Sequence, residues 1–303
     1  MLETEVYGLE HIGKHLALIQ GDPSLYTVPE SRKLNVMLIG NHSVGKSSYI
    51  NWYLGEKLLK EGVAMETQGV HLVTSGARYT YLKGNATLKA FPFLGKLIDE
   101  RTRQSKVPGL IESLTTTISP SKNRYFGSVN FIDTPGITDG ALRYPFDMEK
   151  ALVWLAQHAA DIVLVFFDPI GQTLCKKTMA IVEKIDQICP NKLHFFLSKA
   201  DTITNEGDRY KVLAQISQGL ASVLQAKHAI DIPLIYIPKQ NPKHALLRQS
   251  KTFYERLPDM GGRVPNKIEE TAILIYEQAS TKAERVLNKL KKDISTLDKA
   301  VEK

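Results

Sequence analysis

Residues Leu34 to Ile50 read LNVMLIGNHSVGKSSYI, an apolar run that meets a glycine-rich turn and then a helix-like stretch. The turn holds Gly40, four residues, then Gly45, Lys46 and Ser47. Few local patterns constrain a fold so tightly, because this one works only between the end of a strand and the start of a helix. Glycines let the backbone wrap an anion with its N–H groups inward. The following helix adds the partial positive charge of its N-terminus. Gly40, Asn41, His42, Ser43, Val44, Gly45, Lys46, Ser47 and Ser48 are therefore expected to line a phosphate cradle. Lys46 would place its charge on the β- and γ-phosphates, and the Ser47 hydroxyl would ligate magnesium.

Two further motifs follow in the order such a cradle needs. VNFIDTPG, Val129 to Gly136, is an apolar strand ending in Asp133. Asp133 can hold magnesium through water, and the Gly136 N–H is placed to sense a γ-phosphate. FFLSKAD, Phe195 to Asp201, ends a second apolar strand in Ser198, Lys199, Ala200 and Asp201. This resembles the Asn/Thr-Lys-x-Asp motif that reads guanine. Asp201 can accept from the guanine N1 and N2 donors, and Lys199 would lay its stem along the base. Ser198 stands where Asn is usual, and its shorter arm is expected to bridge less well to the phosphate loop.

Apolar runs at Asn35–Ile39, Ser128–Ile132, Ile162–Phe167, Leu193–Leu197 and Leu234–Ile237 predict strands. Helices are expected to begin near Lys46, Pro145, Thr173 and Asp208. This alternation predicts an α/β domain with a mostly parallel sheet and helices on both faces. Ligands of such sheets sit beyond the carboxyl ends of the strands. At the ends of the chain the rhythm changes to three-four spacing. Leu2, Val6, Leu9, Ile12, Leu16 and Ile19 share one helical face, as do Ala272, Tyr276, Ala279, Ala283, Val286, Leu290, Ile294, Leu297 and Val301. Three parts follow: an N-terminal helical segment (1–27), a nucleotide-binding domain (28–260) and a C-terminal helical segment (261–303). The terminal helices are expected to pair as a helical bundle segment, or else to dock on the core.

Composition narrows the setting. The chain has 303 residues, 43% of them hydrophobic, with no apolar run of membrane-spanning length and no secretory leader. Cys175 and Cys189 match no metal or redox spacing. A cytoplasmic protein is expected, peripheral on membranes if it meets them. The net charge is +7, yet no RNA-binding signature or zinc finger accompanies it, so no nucleic-acid partner is expected.

Asp133 lies 87 positions after Lys46 (from 46 to 133), wider than a small Ras-like domain needs. That insertion resembles the dynamin superfamily. More narrowly, GNHSVGKSS, IDTPGI, RYPFDMEKALVWLAQHAADIVLVFFDP (143–169) and LSKAD resemble the EH-domain-containing (EHD) ATPases and their relative sarcalumenin. The resemblance covers roughly residues 34 to 220. No EH domain is seen, and the chain stops where those proteins continue their helical domain.

The resemblance implies a P-loop nucleoside triphosphatase with a dynamin-type G domain, using Mg2+ and turning over slowly. It also implies a homodimer or oligomer formed across the nucleotide face, and membrane remodelling or trafficking. Thr67 matches the switch threonine that closes over magnesium and the γ-phosphate, with Thr74 and Thr80 as alternatives. Ile137 stands where Ras-like enzymes carry a water-orienting glutamine, so catalysis must come from elsewhere. Ser43 matches the superfamily's P-loop serine. His42 stands where dynamin has a catalytic glutamine and EHD proteins a tyrosine, and it would orient water or contact a dimer partner. Lys46, Thr67, Ser43 and His42 are thus the catalytic candidates, and Ser47, Thr67 and Asp133 the metal ligands. Asp201 favours GTP, whereas the EHD resemblance favours ATP. Tyr236-Ile237-Pro238-Lys239 lacks the Ser-Ala-Lys loop that supports guanine. GTP is the favoured substrate, with ATP the alternative. A nucleotide-regulated scaffold that barely hydrolyses is the rival reading.

Overall fold

The computed structural model describes residues 33–60, 69–99, 101–140, 144–169, 174–225, 230–238 and 264–301. In chain order the strands are β1 (Leu34–Gly40), β2 (Val70–Ser75), β3 (Thr80–Lys83), β4 (Leu114–Ser119), β5 (Val129–Asp133), β6 (Ile162–Phe167) and β7 (Leu193–Leu197). The helices are α1 (Lys46–Leu54), α2 (Asn85–Ala90), α3 (Met148–His158), α4 (Lys176–Ile188), α5 (Glu206–Val223) and α6 (Ile268–Val301).

Every residue of β1 is buried. A strand apolar on both faces belongs inside a sheet covered on each side, and β1 lies parallel between β5 and β6. The seven strands run in the order β3-β4-β2-β5-β1-β6-β7. The half β5-β1-β6-β7 is parallel, as is β2 with β4. Two pairs are antiparallel, β2 with β5 and β3 with β4. The sheet is thus mixed α/β and mostly parallel.

Side-chain alternation divides the core between the two faces. Leu34, Val36 and Leu38 of β1 meet Tyr49, Ile50 and Tyr53 of α1 together with Phe131 and Phe166. Met37 and Ile39 face the opposite layer, with Leu152 and Leu155 of α3 and Val182 and Ile185 of α4. Each such buried side chain contributes about 1.5–3 kcal/mol. Asp147 caps α3 by accepting from the Lys150 N–H, and Asn205 caps α5 by accepting from the Asp208 N–H.

The expected strand at Leu234–Ile237 is reduced to a single bridge between Leu197 and Leu234. Leu197 still donates to the Pro233 carbonyl and accepts from the Ile235 N–H. Beyond Leu197 the partner strand leaves the ladder: Lys199 turns through φ 50°, and the Ile235 carbonyl accepts from the Ala200 N–H instead, which is why the run stops short. Three strands had no counterpart among the expected runs. β2 (VHLVTS), β3 (TYLK) and β4 (LTTTIS) are short and dilute their apolar residues with hydroxyls.

The unit that carries the sheet spans Lys33 to Ala279, and it includes the first turns of α6. There Ile268, Thr271, Ile275 and Ala279 are buried. The expected stripe named Tyr276 instead of Ile275. Tyr276 is exposed and stacks on Tyr125, with ring centroids 4.5 Å apart. Tyr49 of α1 and Thr271 of α6 share a buried hydroxyl–hydroxyl bond of 2.7 Å. From Ser280 onward α6 belongs to a second unit, in which Val286 is buried. The expected helix at residues 2–20 and the expected boundaries at 27/28 and 260/261 lie outside the described residues.

Candidate functional site

β1 ends at Gly40 and α1 begins at Lys46, so the intervening turn hangs over the carboxyl end of the central strand. Gly45 caps α1 with φ 94° and offers no side-chain hydrogen bond. The first turn of α1 also holds no acidic residue. Its leading N–H groups therefore have no anionic partner from α1 itself. Ser43 adopts φ 59°, a left-handed conformation that a side chain disfavours. The Lys46 ammonium curls back into the loop and donates to the Gly40 and Asn41 carbonyls, each at 3.1 Å. Burial lowers its pKa to about 8, against the opposing pull of Asp133.

Asp133 ends β5 beside β1 and is 1% exposed. Its Oδ2 accepts from the Ser47 hydroxyl at 2.6 Å. Its Oδ1 is buried and has no hydrogen-bond partner among the described residues. Burial raises the carboxyl's pKa, while the Lys46 charge and the Ser47 bond work the other way. A buried carboxylate oxygen without a donor is costly. A hard cation or its water would relieve that cost. Ser47 and Asp133 together offer the oxygen ligands that magnesium takes, usually one or two from protein with phosphates and water completing the shell. Among the described residues no group of three His, Cys, Asp or Glu side chains gathers into a larger metal cage.

The turn after Asp133 is stitched to the Gly40–Ser47 turn. Ile137 donates its N–H to the Gly40 carbonyl, and His42 donates its N–H to the Ile137 carbonyl, both at 3.1 Å. Thr134 Oγ1 donates to the Leu38 carbonyl at 2.6 Å. A Cβ at Gly136 would stand 2.5 Å from His42 Cα, so only glycine allows this approach. Ile137 itself is 3% exposed. Three residues beyond Gly136, Asp139 accepts from the Lys176 and Lys177 N–H groups and from the Cys175 thiol. The DTPG turn is thereby pinned to the start of α4. Thr178 of α4 reaches the Gly40–Ser47 turn as well, donating to Asn41 Oδ1 at 2.6 Å.

At the end of β7, Ser198 departs from its expected weakness. Its hydroxyl lies 2.8 Å from the Val44 carbonyl and 2.9 Å from the Phe167 carbonyl. The close packing of β6 and β7 under the loop makes the short arm sufficient. Lys199 has φ 50° and sends its ammonium to Asp168 Oδ2 at 2.8 Å. Asp201 is exposed.

Gly40 to Ser47, Asp133, Gly136 and Ser198 are therefore joined by direct contacts, with Lys199 and Asp201 just beyond. Asn41, His42 and Ser48 are half-buried and Ser43 is exposed. Thr67 lies outside the described residues. Its alternatives sit elsewhere: Thr74 is buried in β2, bonded to Asn130 and Lys33, and Thr80 opens the edge strand β3. Because His71 pairs with Asp133 and Thr74 with Asn130, the chain enters β2 at the end that carries Asp133 and moves away from it toward Thr74. Asp139, Asp168 and Thr178 escaped the sequence reading. Asp168 follows an apolar run as Asp133 does, which was a usable signal; Thr178 carried none.

No protein-family model and no curated protein matches this chain. Solved structures do. One, an oligomerised bacterial dynamin pair described as a mechanism for the long-range sensing and tethering of membranes, matches with a TM-score of 0.56 and 14% identity. That match covers 99% of this chain and 46% of the other. A second of the same description matches with a TM-score of 0.51 and 15% identity, over 90% of this chain and 50% of the other. The chain spans about half the length of these neighbours. At such identity the likeness is one of fold: the sheet and its helices are arranged as in bacterial dynamins.

Proposed function

We infer that this chain binds a purine nucleoside triphosphate with Mg2+ over the carboxyl ends of β1, β5 and β7, and hydrolyses it slowly. One observation carries the reading. Ser47 and the strand-end Asp133 meet at 2.6 Å beside a buried lysine, and one carboxylate oxygen has no partner among the described residues. Ser47 and Asp133 would hold the metal, which would offset the phosphates' negative charge. Lys46 binds the β- and γ-phosphates, and the N-terminus of α1 orients them. The Gly136 N–H faces the γ-phosphate because the turn is clamped against His42. Thr67 would close over the site, as the resemblance implies, and the entry of the chain into β2 beside Asp133 supports that role.

GTP is favoured over ATP. Asp201 is exposed, and among the described residues nothing pairs with its carboxylate, so it stands available to accept from a base. Kinship with the EHD ATPases, resting on the sequence motifs, keeps ATP as the alternative substrate. The fold shared with bacterial dynamins supports self-association across the nucleotide face and peripheral work at membranes. Among the described residues no helix is long and apolar enough to cross a membrane.

A second reading has its own observation. Ile137 is buried and locked to Gly40 and His42, so its position presents no side chain that could orient water. That favours a nucleotide-regulated scaffold which binds and barely turns over. Phosphate release from GTP and ATP, measured across a wide protein dilution series with and without anionic liposomes, separates the two. Specific activity that rises with protein concentration supports the assembling triphosphatase. Activity per molecule that stays flat on dilution removes assembly, and no release under any condition leaves the scaffold.

A further inference from the structure

Two carboxylates and one lysine stand together where β6 and β7 end, and only one carboxylate holds the lysine. The strands run parallel with Phe167 opposite Leu197, so Asp168 and Ser198 leave the sheet side by side. The Ser198 hydroxyl lies within bonding distance of the Phe167 and Val44 carbonyls, which fixes the start of the loop. Lys199 then turns through φ 50° and extends to Asp168 Oδ2 at 2.8 Å. The Asp168 side chain is 11% exposed and that of Lys199 40%, so the lysine stem lies partly open along the mouth. Asp201, two residues on, is exposed and unpaired among the described residues.

We propose that Asp168 is a specificity-determining residue of the nucleotide site, claiming the Lys199 ammonium so that Asp201 stays free to accept from a base with two adjacent N–H donors. This rests on the reading of Ser198–Asp201 as the base-reading loop. The physics is a competition for one cation. A lysine two residues from an exposed carboxylate can swing to it, a weak pairing that a better partner prevents. A partly buried carboxylate is that partner, being less screened by water and salt than an exposed one. The pairing has two effects. Asp201 keeps its acceptor oxygens for guanine, whose N1 and N2 hydrogens point the same way; adenine offers no such pair. The anchored ammonium also holds the lysine stem still, a ready shelf for the face of the base.

The test uses the full chain and non-hydrolysable analogues of guanosine, inosine and adenosine triphosphate, with tripolyphosphate as a probe that has no base. Asp168→Asn is expected to weaken guanosine analogue binding about fivefold to tenfold. Inosine, lacking the 2-amino group, should lose less, and tripolyphosphate should be unchanged. Asp168→Glu should restore most of the guanosine affinity. Lys199→Met keeps an apolar stem without the charge. With the lysine charge gone, Asp168→Asn should cost little further guanosine affinity in the double variant than Lys199→Met costs alone. Should Asp168→Asn not fold, Asp168→Ser takes its place in the same comparisons. The proposal is overturned by an unchanged guanosine-to-tripolyphosphate ratio in folded Asp168→Asn, or by an Asp168→Asn effect that is undiminished in the Lys199→Met background. Tighter adenosine than guanosine binding by the unmodified chain overturns it too, while leaving the phosphate site standing. No triphosphate binding at all removes both this proposal and the site beneath it.

Discussion

If Lys46 holds phosphate as proposed, binding should titrate in an accessible range. Burial lowers its pKa from 10.5 to about 8. A bound triphosphate supplies enough negative charge to hold the ammonium protonated, so binding and protonation are linked. The sign follows from the direction of the shift. Below pH 8 the lysine is already charged and binding costs no proton. Above pH 8 the free site loses its proton, and each bound nucleotide must put one back. With a free-site pKa of about 8, the charged fraction falls from about nine-tenths at pH 7 to about one-tenth at pH 9. Affinity should therefore drop about tenfold across that interval, or roughly 1.4 kcal/mol. Binding at pH 9 should take up about 0.9 proton, against about 0.1 at pH 7. Titration calorimetry in two buffers of different ionisation enthalpy reads the proton count directly. Running adenosine and guanosine analogues side by side removes ionisation of the base as the cause. A dissociation constant flat from pH 7 to pH 9, with no proton uptake, would refute the reasoning that places a desolvated lysine on the phosphates.

Gly136→Ala is expected to separate the DTPG turn from the phosphate loop, because the new Cβ would sit 2.5 Å from His42 Cα, a backbone atom that cannot step aside. The overpacking should cost roughly 1–3 kcal/mol; triphosphate affinity should fall while far-ultraviolet circular dichroism keeps its shape, and unchanged affinity would count against the clamp. His71 donates or accepts through both ring nitrogens, to Thr115 at 2.6 Å and Thr117 at 2.9 Å, and burial lowers its pKa to about 4. Its depressed pKa means that the unfolded chain binds the extra proton, so stability should fall as pH drops from 6.5 toward 4, by roughly 2 kcal/mol at pH 5. Urea unfolding of the wild type and His71→Gln at pH 7 and pH 5 checks this, and equal pH sensitivity in both would exclude His71 as the cause.

The central strands were legible because burial on both faces writes itself as continuous apolar runs, as in LNVMLIG of β1 and IVLVFF of β6. The turn between β1 and α1 was legible for a different reason: a strand, a glycine-bearing turn and a helix start follow one another at the spacing that a phosphate cradle would require, so local pattern alone places Gly40 to Ser47 there. The edge of the sheet was not legible. β4 places hydroxyls such as Thr115 and Thr117 where they bond to His71, and a strand stabilised that way shows no apolar pattern. Asp168, Asp139 and Thr178 act through residues far away in the chain, at separations of 31, 37 and 137 positions. Nothing in a local window announces such partners. The phase of α6 slipped for a related reason: Tyr276 reads as apolar, yet its ring stacks outside on Tyr125 while Ile275 goes inward.

The most direct test of the site is an equilibrium titration of a non-hydrolysable GTP analogue, with and without magnesium, on the unmodified chain and on Ser47→Ala and Asp133→Asn. Saturable binding strengthened by magnesium, and a magnesium effect lost in both variants while their thermal unfolding stays cooperative, is the expected result. Absence of saturable binding, or a magnesium effect that survives both substitutions, would contradict the assignment of Ser47 and Asp133 as the metal-holding pair beside Lys46.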